Sequence, residues 1–169
     1  MAKLIVIMGP AGCGKSVVAA RIAAARSATA LDADDFHSRE NIAHMAGGNP
    51  LTDAQREPWI AAMEKELHAR LGNNENIVLA YSGLRRAHRA RIRACAQRSL
   101  FIKLQVPIAQ LQERVAKRQN HFMSAQMLPS QLAAMESPAS EETIVQIAAH
   151  GSLDDVVEST LNAIRETFS

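Results

Sequence analysis

The sequence has few of the residues that staple or decorate extracellular and membrane proteins. Its 169 residues include only two cysteines, too few for the disulfide framework of a small secreted domain, and Cys13 lies between two glycines where a bridge would be awkward. No apolar run approaches the roughly 20 residues of a membrane span. The first apolar stretch, Leu4 to Met8, is shorter than the roughly 7 to 15 residues of a signal-peptide core. Aromatic residues number six against thirty alanines, so the core is expected to consist of closely packed helices and aliphatic strands. Neither sign of charge dominates: 19 Lys and Arg face 17 Asp and Glu, a net +2, which gives no global case for nucleic acid. With 47% apolar and 21% charged residues, the chain has a globular composition. These absences imply a reduced, cytoplasmic protein and one domain over residues 1–169.

Short β-type runs alternate with helical stretches. Leu4–Met8 (LIVIM) is continuously apolar and ends in glycine, as a central strand buried on both faces does. Further strands are expected at Thr29–Asp32, Asn76–Ser82, Ser99–Gln105 and, more weakly, Thr143–Ile147. Between them, Lys15 to Arg26 carries Val18, Ile22 and Ala25 on one helical face. Thr52-x-x-Gln55 is a capping box that opens a helix towards Leu71, with Pro58 predicting a bent or frayed start. Pro107 suits the first turn of a helix running to about Gln119. Ser152-x-x-Asp155 opens a last helix bearing Val156, Val157, Leu161 and Ile164. Such alternation implies an α/β fold, a five-stranded parallel sheet flanked by helices.

Gly9-Pro10-Ala11-Gly12-Cys13-Gly14-Lys15-Ser16 matches G-x-x-x-x-G-K-[ST] between the first strand and first helix, the context that gives the pattern its mechanism. Its glycines let consecutive N–H groups face phosphate oxygens, and the helix N-terminus adds positive potential. Lys15 is expected to reach the β- and γ-phosphates of ATP or GTP, and Ser16 to hold Mg²⁺. The chain is short for a motor ATPase and has no Asn-Lys-x-Asp guanine motif, which leaves a small-molecule kinase.

Asp32, Asp34 and Asp35 follow the second strand, whose C-terminal end shares an edge with the phosphate loop in a parallel sheet. Asp32 is assigned to Mg²⁺ and Asp34 to accepting the proton of an attacking hydroxyl. Asp35 is read as a helix cap, a role open to Asp34 too. His37 either bonds substrate or braces the acids. From Asn76 to Gln112 there is no Asp or Glu, while Arg85, Arg86, Arg89, Arg91, Arg93 and Arg98 cluster. Arg85 should point into the cleft; the others are expected to decorate a solvated helix face, since few aromatics interleave with them as a nucleic-acid surface would require. Arg114 and Arg118 lie one turn apart and suit a lid closing on the transferring phosphate, with surface pairing to residues such as Glu113 as the alternative.

Taken together, these segments resemble the gluconate kinase (gluconokinase) family of small P-loop kinases, related in fold to shikimate and nucleoside-monophosphate kinases. The resemblance runs from Leu4 to about Pro138. It rests on the phosphate loop, Leu31-Asp-Ala-Asp-Asp-Phe-His37, Gly48-Asn-Pro-Leu51, Arg56-Glu-Pro-Trp59, Arg114-x-x-x-Arg118-x-x-His121-Phe-Met123 and Ser130-Gln131-x-x-x-x-Glu136-x-Pro138. It implies transfer of the ATP γ-phosphate to the 6-hydroxyl of D-gluconate, with Mg²⁺, in a homodimer. It further implies an acceptor-binding segment near 38–60 and a lid near 118–135. Carried onto this sequence, Lys15, Asp34 and Arg118 are catalytic and Arg114 joins the nucleotide site. His37, Arg56, Arg85 and His121 serve the substrate, with Arg56 or Arg85 as the fork for its carboxylate. The family's Asp-Gly-Asp is Asp32-Ala33-Asp34 here, and its Cys-Ser-Ala-Leu-Lys is Tyr81-Ser-Gly-Leu-Arg85. His44 and Gln55 replace a common Lys and Asp. These departures lie on the acceptor side, so the alternatives are a kinase for another aldonate, a shikimate-like acid or a nucleotide. A nucleotide-dependent RNA-binding protein using the arginine window stands behind them.

Overall fold

The computed structural model describes residues 1–117 and 125–169. Five parallel strands, β1 (Leu4–Met8), β2 (Thr29–Asp32), β3 (Ile77–Tyr81), β4 (Ser99–Gln105) and β5 (Ile144–Ala148), form one sheet in the order β2-β3-β1-β4-β5. Among the described residues the helices are α1 (Lys15–Ala25), α2 (Arg39–Ala46), α3 (Asp53–Gly72), α4 (Arg86–Ala94), α5 (Ile108–Ala116), α6 (Met127–Ala134) and α7 (Leu153–Phe168), with a 3₁₀ turn at Ala33–Phe36. The expected α/β architecture is present. Among the described residues no helix is long and apolar enough to cross a membrane.

The period of two in a strand divides the core into two layers. Ile5, Ile7, Val78, Ala80, Ile102 and Leu104 face Val18 and Ile22 of α1 and Val156, Val157 and Ile164 of α7. Leu4, Val6, Met8, Ile77, Leu79, Tyr81 and Phe101 face Trp59, Ile60, Met63 and Leu67 of α3 and Ile92 of α4. Every residue of β1 and β3 is buried, which is why both read as unbroken apolar runs. β5 is an edge strand with no buried residue; its weak pattern follows from that, and its limits sit one residue later than expected.

Two local expectations change. Pro58 does not fray α3: the helix is continuous from Asp53, because Thr52 N–H donates to Gln55 Oε1 (2.9 Å) and Gln55 N–H to Thr52 Oγ1 (3.2 Å). This box satisfies donors that the first turn otherwise leaves open. Pro107 is the N-cap of α5 rather than a first-turn residue, and the described helix ends at Ala116. The remainder of its expected span, from Arg118, lies outside the described residues.

Candidate active site

All strands being parallel, their C-terminal ends converge on one edge, the place where open α/β sheets take ligands. The phosphate loop leaves β1 and enters α1 through Gly14 at φ +92°. Gly12 is also left-handed (φ +83°), and a Cβ on it would come within 2.8 Å of Val115 Cγ2 on α5. Glycine is therefore required both by conformation and by the close approach of a neighbouring helix. Lys15, the first residue of α1, is only 7% exposed.

The 3₁₀ turn follows β2 and is closed by Asp32, whose Oδ1 accepts from the Asp34 N–H at 3.0 Å. Asp35, read from sequence as a helix cap, caps nothing: Asp32 caps the turn, and the Ser38 side chain caps α2 by accepting from Asn41 N–H. Asp32, three positions upstream of Asp35, closes the turn, and Ser38, three positions downstream, supplies the capping oxygen of the helix that Asp35 was expected to cap. Burial raises the Asp35 carboxyl above its usual range, reinforced by the neighbouring Asp32 and Asp34. The turn is anchored by Trp59, whose Nε1–H donates to Ala33 O at 2.6 Å. The same indole stacks on His37 at 4.3 Å between centroids and meets Tyr81 at 5.6 Å.

Lys15, Asp34, His37, Arg56 and Arg85 line a single cleft. Phosphate-loop lysine, acid and two guanidiniums thus converge on one cleft. Asp53 stands between the arginines: its Oδ1 lies 2.7 Å from Arg56 Nη1 and 3.5 Å from Arg85 Nε. Glu136 lies 3.6 Å from Arg85 Nη1. Hydrogen bonding to Arg56 and the charge of Arg85 lower the Asp53 carboxyl's pKa, so both cations are held by an ionised acid at the cleft wall. Arg114 sits apart, donating to Gly12 O (3.4 Å) and Ala149 O (3.2 Å), and so bridges the phosphate loop and the loop after β5. Arg118 and His121 lie outside the described residues, as does the first part of the expected lid at 118–124. The rest of that span includes α6.

Four further residues line the cleft: Ser82, Ser130 and Gln131, which belong to the segments of the resemblance but were given no role, and His88. Gln131 Oε1 accepts from the Ala11 N–H at 2.8 Å. His88 was hidden inside the arginine window. That window is also not the solvated face expected. Arg89 is wholly buried; Arg91 pairs with Glu57 (2.6 Å) and Glu64 (2.5 Å); Arg93 lies over Phe101, 4.1 Å from the ring centroid. The acids that neutralise these arginines come from elements outside the window, so a local charge count could not find them. The substituted glycine is accounted for: Gly83 has φ +65°, and a Cβ there would approach Met8 Cε to 2.9 Å.

Burial lowers the pKa of both cleft histidines, His37 and His88, with Arg56 adding to the effect at each; acids nearby oppose it. A folded-state pKa below the unfolded value means that the unfolded chain binds more protons as pH falls through the usual histidine range. Stability therefore rises with pH there. Urea denaturation is expected to show stability falling between about pH 7.5 and 5.5, with a shallower fall in His37→Gln. Equal slopes in the two proteins would contradict the assignment for His37.

A family model described as an AAA domain matches residues 4–168. The thermoresistant gluconokinase of Escherichia coli is 33% identical, over 96% of this chain and 94% of its own. A gluconokinase structure from Sinorhizobium meliloti superposes with a TM-score of 0.85 at 34% identity, covering 97% of this chain and 92% of that one. An unliganded sugar kinase from Janibacter sp. HTCC2649 superposes at 0.91 with 32% identity, covering 98% and 95%. With the phosphate loop, the acid turn and the paired arginines brought to one cleft, the chain belongs to the gluconokinase family of P-loop kinases.

Proposed function

We propose that this protein transfers the γ-phosphate of ATP to the 6-hydroxyl of D-gluconate, giving 6-phosphogluconate. The observation that carries the reading is the cleft itself, which joins Lys15 and Asp34 to Arg56 and Arg85. A phosphoryl donor and a hydroxylated acid can meet there in line. The gluconokinase relatives support the substrate. The arginines paired within the fold leave less of the basic window for RNA, which favours a small acceptor.

In this mechanism the phosphate-loop N–H groups and Lys15 hold the β- and γ-phosphates, with Arg114 on the nucleotide side and Arg118 brought by the lid. Asp34 accepts the proton of the attacking hydroxyl. Arg56 or Arg85 holds the carboxylate, and His37 and His121 contact the sugar acid. The donor chemistry fits Mg²⁺: Ser16 in the first turn of α1 and Asp32 at the end of β2 supply hard oxygens, and the Asp34 N–H engages Oδ1 of Asp32. When bound, the ion would neutralise charge on the transferring phosphoryl group. Segments 38–60 and 118–135 serve as acceptor-binding region and lid. A cytoplasmic homodimer completes the reading, on the family resemblance.

The test is ADP release from Mg-ATP with D-gluconate, other aldonates, shikimate and nucleoside monophosphates. Stimulation by gluconate is expected, with the gluconate KM raised about tenfold or more in Arg56→Ala or Arg85→Ala, consistent with loss of a charged pair. Stimulation by a different acceptor alone would replace the substrate. An unchanged KM in the double variant would remove both arginines from carboxylate binding.

A further inference from the structure

The loop Ser82–Arg85, which brings Ser82, Leu84 and Arg85 to the cleft, has no regular secondary structure. What holds it is a side chain that reaches neither substrate site. Arg89, on α4, is fully buried and donates from Nη1 to Gly83 O (2.8 Å), Leu84 O (3.3 Å) and Glu136 O (3.2 Å). Its Nε and Nη2 fork onto the two oxygens of Glu142, both at 2.7 Å. One guanidinium thus binds the loop after β3 to the segment between α6 and β5.

Backbone bonds complete the seam. Glu136 N–H donates to Leu84 O at 2.8 Å, Arg86 N–H to Glu136 Oε2 at 2.7 Å, and Ala139 N–H to Glu142 Oε2 at 2.9 Å. At its other end the same connection carries α6, where Gln131 accepts from Ala11 of the phosphate loop. The α6 arm is therefore bonded to the phosphate loop at one end and to the acceptor loop at the other.

We propose that Arg89 and Glu142 form a positioning pair that sets the acceptor loop against the α6 arm, so that Arg85 and Ser82 meet the acceptor in register with the phosphate loop. The inference rests on the acceptor reading of the cleft given above. A buried ion pair adds little stability over apolar packing of similar volume, so stability alone does not explain it. Its geometry does: only a planar fork with five N–H donors can satisfy two carboxylate oxygens and several carbonyls together. Hydrogen bonding to Arg89 holds the Glu142 carboxyl down at about 2, so that carboxylate stays ionised throughout the working range.

Arg89→Lys keeps the charge and removes the fork; Glu142→Gln keeps the shape and removes the charge. In Arg89→Lys the gluconate KM is expected to rise about tenfold while the ATP KM stays within about twofold. Glu142→Gln should move the same way, and the double variant should be no worse than Arg89→Lys, because one link is broken once. Both KM values unchanged, or both raised equally, would overturn the proposal. If Arg89→Lys does not fold, Glu142→Gln is judged by the same criterion. Amide hydrogen exchange reads the link without substrate: residues 82–86 and 136–139 should exchange faster together in the folded variant, while β1 does not change. Unchanged exchange there would also overturn it. A wild-type protein that ignores gluconate, yet shows the coupled exchange, would refute the substrate reading and leave the seam standing.

Discussion

Lys15→Met is expected to lower kcat by about 10³-fold or more, with the melting temperature little changed. Removing one preorganised donor from a developing oxyanion lowers rates by about 10²–10³-fold, and Lys15 supplies a full charge rather than a dipole. The side chain is only 7% exposed in the cleft it lines, so solvent screening of that charge is weak. Methionine is chosen because it keeps the stem and most of the volume, which separates loss of charge from loss of packing. ADP release at saturating Mg-ATP and gluconate measures the effect; a parallel thermal melt checks the fold. A variant within about tenfold of wild type would mean that the phosphate is neutralised by other groups and that the catalytic assignment of Lys15 is wrong.

The phosphate loop was legible because its chemistry is local. The glycines, Lys15 and Ser16 are adjacent in sequence, and their conformation depends on φ values that few other residues adopt. β1 and β3 were legible for a related reason: burial on both faces leaves an unbroken apolar run. What the sequence concealed is non-local. Arg89 looked like one more exposed arginine, since its partner Glu142 is 53 residues away. Arg91 is neutralised by Glu57 and Glu64 across the α3–α4 contact. Trp59 stood out only as part of a family motif, yet its indole N–H fixes the turn that bears Asp34. Capping showed the opposite error. Asp35 and Asp34 were the expected caps, and only the backbone path selects Asp32, the last residue of β2.

The selection of Asp32 sharpens the second prediction. Asp34→Asn is expected to reduce kcat by about 10²–10⁴-fold, the range for loss of a positioned general base, while ATP and gluconate still bind. An aspartate that served as a cap would tolerate this change, because asparagine caps about as well. The side-chain oxygen that closes the turn belongs to Asp32, and it accepts from the Asp34 backbone N–H, which the substitution leaves in place. The Trp59 bond to Ala33 O is likewise untouched. The turn should therefore keep its shape, and what disappears is the ability to take a proton from the attacking hydroxyl. Phosphoryl transfer through a loose transition state leans less on a base than on positioning, which sets the lower end of the range. Single-turnover ADP formation, with gluconate affinity measured separately by calorimetry, distinguishes the cases. Near-normal turnover in a variant that still binds gluconate would leave Asp34 as an orienting residue, and the hydroxyl proton would depart by another route. A lost gluconate affinity with an unaltered single-turnover rate at saturation would instead make it a binding residue alone. The expected result, slow chemistry with binding retained, follows only if the carboxylate meets the 6-hydroxyl as the phosphoryl group leaves ATP.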